Sequence, residues 1–76
     1  MNISGVLVHA YPQQVSAVGE SLIQLPGVEV HGNNDDGRIV VTVEQDDANQ
    51  MSDVLTHMQT LPGVLSASMI YHQFED

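Results

Sequence analysis

Leu25-Pro26-Gly27-Val28 and Leu61-Pro62-Gly63-Val64 are one tetrapeptide used twice in a chain of 76 residues. Each copy closes a stretch of helical spacing and opens an extended run. Before the first helical stretch, residues 3–10 are rich in Val, Leu and Ile and read as a strand with both faces usable. Before the second, residues 39–44 read Ile-Val-Val-Thr-Val-Glu, the most strand-like segment of the chain. Strand, helix, Leu-Pro-Gly-Val and strand therefore occur twice.

Within the first helical stretch Pro12 suits the opening turn, where a missing N–H is harmless. Val15, Val18, Leu22 and Leu25 recur at three- and four-residue spacing and give one apolar face. Gly19 inside this face predicts a close approach to a sheet. Asn33-Asn34-Asp35-Asp36-Gly37 is a tight-turn signal, because these residues tolerate positive φ. Asp46 and Asp47 suit a helix N-terminus, and Asp47 with Gln50 has capping-box spacing. Met51, Val54, Leu55 and Met58 then form the second apolar face. Residues 64–72 make the last strand, with residues 73–76 as an acidic tail.

The sum is one α+β domain over residues 1–76 of the ferredoxin-like βαββαβ type. It predicts a four-stranded antiparallel sheet of order 4-1-3-2 with both helices on one face. The other face is then open. Strand alternation assigns Val6, Val8, Ala10, Ile39, Val41 and Val43 inward, together with Ala67, Met69 and Tyr71. Outward it leaves Ile3, Gly5, Leu7 and His9, then Arg38, Val40, Thr42 and Glu44, then Ser66, Ser68, Ile70 and His72. This predicts a shallow apolar trough of Ile3, Leu7, Val40 and Ile70. Small residues (Gly5, Ser66, Ser68) lie beside it for close approach, and Glu29 and Glu44 stand at its rim. An exposed apolar patch of this kind marks a binding surface or a dimer interface.

Composition narrows the partner. Ten acidic residues face a single Lys or Arg, Arg38, for a formal net charge of −9. That balance opposes nucleic acid and anionic membranes and favours a cationic partner. There is no Cys, which removes disulfides, thiolate metal sites and Cys nucleophiles. The four His residues (9, 31, 57 and 72) lack metal-site spacing. No nucleophile–base motif or phosphate loop is legible, and turn formation and helix capping account for Asp35-Asp36 and Asp46-Asp47. The expectation is a protein that binds rather than catalyses, with no metal and no cofactor. No run is long enough to span a bilayer and no basic region precedes an apolar start. Taking Met1 as the native start, the expected location is the cytoplasm, and a monomer is favoured.

The C-terminal run Leu61-Pro62-Gly63-Val64-Leu65-Ser66-Ala67-Ser68-Met69-Ile70-Tyr71-His72-Gln73 resembles the ending of the NapD family. Gly37-Arg38-Ile39-Val40-Val41-Thr42-Val43-Glu44 is similar to that family's third strand. Ile3-Ser4-Gly5-Val6-Leu7-Val8 is similar to its first. The resemblance implies a cytoplasmic chaperone for the catalytic subunit of periplasmic nitrate reductase, a molybdenum and iron–sulfur enzyme. Such a chaperone binds the twin-arginine signal peptide and holds back export until the cofactors are in place. Taking the outward residues of the alternation as the peptide site gives Ile3, Gly5, Leu7, His9, Val40, Thr42, Glu44, Ser68, Ile70 and His72. The paired arginines are expected near Glu44, His72 and the Glu75-Asp76 tail. The alternative reading is an ACT-like regulatory domain that senses a small ligand at a dimer interface.

Overall fold

A computed structural model describes residues 2–74. Its elements are β1 (Asn2–Ala10), a 3-10 turn at Pro12–Gln14, α1 (Val15–Leu22), β2 (Val28–Asn33), β3 (Arg38–Gln45), α2 (Ala48–Thr60) and β4 (Val64–Phe74). Among the described residues they form one four-stranded sheet of order β2-β3-β1-β4, antiparallel throughout. This is the expected 4-1-3-2 order read from the other edge. β4 runs through Gln73 and Phe74, so these residues complete the last strand rather than begin a tail.

The repeated tetrapeptide makes the same turn twice. Val28 N–H donates to Leu25 C=O at 3.3 Å, and Val64 N–H to Leu61 C=O at 3.1 Å. With Pro second and Gly third at φ +78° and +90°, both are type II turns. Each glycine carbonyl is also used. Gly27 C=O accepts from Glu44 N–H at 2.9 Å, and Gly63 C=O accepts from Tyr11 N–H at 3.2 Å. Each helix-to-strand turn is thereby tied to the end of the strand that its own strand pairs with.

The inward set of β1 and β3 packs as expected, and Ala67 of β4 packs against it, whereas Met69 is 51% exposed on the edge strand. Val6, Val8, Ala10, Ile39, Val41 and Val43 are buried with Val18 and Leu22 of α1 and with Met51, Val54 and Met58 of α2, in a single core. Each such side chain contributes about 1.5–3 kcal/mol of transfer free energy. In a chain that hides only about 60% of its unfolded surface, no member is spare. Asp47 caps α2 by accepting from Asn49 N–H at 2.8 Å. Gln50 makes no return bond to the cap; its side chain lines a surface depression instead. Asn34 organises the β2–β3 hairpin, its Oδ1 accepting from the N–H groups of Asp36 and Arg38, each at 3.1 Å.

Gly19 departs from expectation, since a Cβ built there meets nothing within 4 Å. No close approach to the sheet requires it. The two glycines Gly19 and Gly27 therefore respond oppositely to alanine. Gly27→Ala forces a positive φ on an L-residue and drives its methyl into the Glu44 carbonyl. The expected loss is about 1–3 kcal/mol, or about 4–8 °C in Tm for each kcal/mol lost. Gly19→Ala removes a poor helix former at no steric cost and should gain about 0.5–1 kcal/mol. Differential scanning calorimetry of both variants checks the pair.

Candidate functional site: the open face of the sheet

β1 is paired on both sides, so its outward residues define rows across the sheet. At one end His9 lies opposite Arg38 on β3 and Ser66 on β4. Next, Leu7 lies between Val40 and Ser68. The third row is Tyr71, Gly5, Thr42 and Glu29, and the fourth is Gln73, Ile3 and Glu44. Leu7, Ile3 and His9 are half-buried, whereas Val40 is 44% exposed. The apolar middle of the face is thus Leu7 with Val40, flanked by Ile3.

Charge is graded along the same rows. Arg38 stands at the His9 end, with its guanidinium 3.6 Å from Asp36. At the far end Glu29 and Glu44 share a depression of about 380 Å³ with Asp46 and Gln50. His31 Nε2 is 2.7 Å from Thr42 Oγ1 and 3.9 Å from Glu29 Oε2, which links the third row to that acidic rim. A second depression of about 350 Å³, lined by Leu25, Pro26, Val54 and His57, joins the first through Gln45 and Gln50. Among the described residues no three His, Asp or Glu side chains converge on a metal-sized site.

β4 does not keep simple alternation. Gly5 pairs with Tyr71 but Val6 pairs with Met69, so Ile70 is an extra residue in a β-bulge. The bulge inverts the faces beyond it and corrects three assignments. Tyr71, expected among the helices, lies on the open face opposite Gly5. His72, expected on the open face, lies on the helix side opposite Ser4. There its Nδ1 is 2.8 Å from Ser4 Oγ, a hydrogen bond that satisfies a fully buried hydroxyl. Ile70 has no partner on β1, and its side chain is 58% exposed at the bulge rather than part of a paired row. The role foreseen for Gly5 changes with it. A methyl group at Gly5 would overlap the ring of Tyr71, so the room that glycine provides is already taken by that ring.

Of the ten expected site residues, the structure brings Ile3, Gly5, Leu7, His9, Val40, Thr42, Glu44 and Ser68 onto one face. His72 shares the Glu44 end of the sheet but on its opposite side. Glu75 and Asp76 lie outside the described residues. Alternation missed Tyr71, because Met69, Ile70 and Tyr71 are all apolar enough to fit either face.

Among the described residues no helix is long and apolar enough to cross a membrane. A family profile described as "NapD protein" matches residues 1–76. The protein described as Chaperone NapD from Escherichia coli (strain K12) is 28% identical over 75 residues, covering 97% of this chain and 86% of its own length. The solution structure of the E. coli Tat proofreading chaperone protein NapD superposes with a TM-score of 0.86 at 28% identity. It covers 97% of this chain and 79% of that one. A crystal structure of a Thermus thermophilus protein is similar at TM-score 0.83 and 28% identity, over 100% of this chain and 96% of its own. An AsnC-family transcriptional regulatory protein from Pyrococcus furiosus matches at TM-score 0.78 but 15% identity, over 99% of this chain and 51% of its own. That last likeness is one of fold alone.

The inverted register has a direct spectroscopic consequence. With the Tyr71 ring lying over Gly5, the Gly5 α-protons should resonate upfield of ordinary glycine values. Tyr71→Leu should return them to those values without disturbing Val6 or Val8, as a carbon–proton NMR correlation spectrum would show.

Proposed function

This chain belongs to the NapD family, and from that membership we propose that it is a chaperone for a twin-arginine signal peptide. Its client in this reading is the catalytic subunit of a periplasmic nitrate reductase. The protein acts in the cytoplasm, by binding rather than by catalysis, and keeps the precursor from export until its molybdenum and iron–sulfur cofactors are inserted. The observation that carries the reading is the open face itself, an apolar centre with an acidic end, on a protein of net charge −9.

A signal peptide of this class has a basic start followed by an apolar stretch. Leu7, Val40 and Ile3 offer apolar surface to that stretch, and an apolar helix laid on such a surface is a general recognition mode. Glu44 and Glu29 attract the basic start. Charge therefore accelerates encounter, while the apolar centre holds the complex. Thr42 and Ser68 lie beside the apolar pair and leave the bound segment room to approach closely.

Titration calorimetry of the full chain with a synthetic twin-arginine signal peptide tests this. Binding should weaken as salt is raised, because the carboxylates of Glu29 and Glu44 are solvent-exposed. Leu7→Asp and Val40→Asp should each weaken it by at least about tenfold, equivalent to about 1.4 kcal/mol, with unchanged far-ultraviolet circular dichroism. Undiminished affinity in both variants would remove the open face from the site.

A further inference from the structure

We infer that the exposed face of Tyr71 is a guanidinium-stacking platform that makes the site select arginine over lysine. This inference deepens the signal-peptide reading and rests on it. Three features of the structure lead to it.

The bulge at Ile70 delivers the one Phe, Tyr or Trp side chain that faces outward from the paired rows among the described residues. Its register partner Gly5 has no side chain, so the ring settles over the β1 backbone and leans toward the centre of the face. Tyr71 nevertheless remains 46% exposed. Tyr71 therefore packs against Gly5 and still presents part of its ring to a ligand.

The ring also stands at the edge of the sheet opposite Glu29, one row along the sheet from the apolar pair. Its row continues through Gly5 and Thr42 to Glu29, and the adjacent row contains Glu44 opposite Ile3. The next row in the other direction carries Leu7 and Val40. Tyr71 on β4 and Glu29 on β2 thus flank the Leu7 and Val40 centre from opposite edges, so a peptide with two adjacent cations can set one beside the carboxylates and the other on the ring.

The chemistry then separates two cations of equal charge. Carboxylates attract an ammonium and a guanidinium alike. A planar, weakly hydrated guanidinium also stacks on an aromatic face, whereas a compact ammonium stays better hydrated. Glu29 and Glu44 supply attraction, and Tyr71 supplies discrimination.

The test titrates the full-length chain with a twin-arginine peptide and with its double-lysine counterpart. Wild type, Tyr71→Leu and Tyr71→Phe are compared. Wild type should prefer the arginine peptide by about fivefold, the scale of a partly exposed cation–π contact. Tyr71→Leu should bind both peptides with equal affinity, and Tyr71→Phe should restore the preference. Equal binding of both peptides by wild type, or a preference that survives in Tyr71→Leu, overturns the inference while leaving the signal-peptide reading standing. Failure of wild type to bind either peptide overturns both. Should Tyr71→Leu not fold, the Tyr71 ring resonances of wild type decide. They should shift on adding the arginine peptide and much less with the lysine peptide, and equal shifts would refute the stacking role.

Discussion

β1 is paired along its length on both sides, and it places β3 and β4 directly and β2 through β3. Asn2 to His9 run opposite β3 without interruption, whereas the pairing to β4 slips between Gly5 and Val6 and again between His9 and Ala10. Because side chains alternate with a period of two, a slip of one residue exchanges the faces of all that follows. The core-forming half of β1 and all of β3 obey one parity. β4 obeys it only from Ser66 to Met69. The position of Tyr71, the burial of Ser4 under His72, and the composition of the open face all descend from that single extra residue.

The architecture was legible because it is written in a repeat with a mechanism. Pro then Gly between Leu and Val specifies a type II turn, and the structure forms it at both sites with the same hydrogen bond. The inward valines of β1 and β3 were legible because uninterrupted alternation between two paired strands leaves one consistent solution. The bulge was not legible. In Ser68-Met69-Ile70-Tyr71-His72 every residue is compatible with an extended backbone, and no Gly or Pro marks the extra position. What distinguishes the two registers is tertiary: a buried Ser4 hydroxyl needs a partner, and Gly5 leaves a gap that a ring fills. Gly19 is the converse, a residue that looks like a packing device and touches nothing across its would-be Cβ.

The open face is organised along one axis. Arg38 and His9 mark one end, Glu29 and Glu44 the other, and Leu7 with Val40 lies between. A surface of this kind reads the order of a peptide's properties as well as their presence, since a sequence reversed end to end would take its basic part away from Glu29 and Glu44. The same fold in an AsnC-family regulator, at low sequence identity, underlines that this axis belongs to the side chains and not to the architecture.

The bulge has a further consequence for β4 as the free margin of the sheet. From Val64 to Phe74 the strand holds no Asp, Glu, Lys or Arg, and Leu65, Met69, Ile70, Tyr71 and Phe74 are all substantially exposed. A straight, uncharged, apolar margin of eleven residues is a template for runaway edge-to-edge growth into fibrils. The slips at Leu65 and Ile70 interrupt that regularity near the start and past the middle of β4, and bulges of this kind twist an edge away from a neighbour's strand. The irregularity that exposes an aromatic ring on one face thus also acts as a guard against self-templating on the margin.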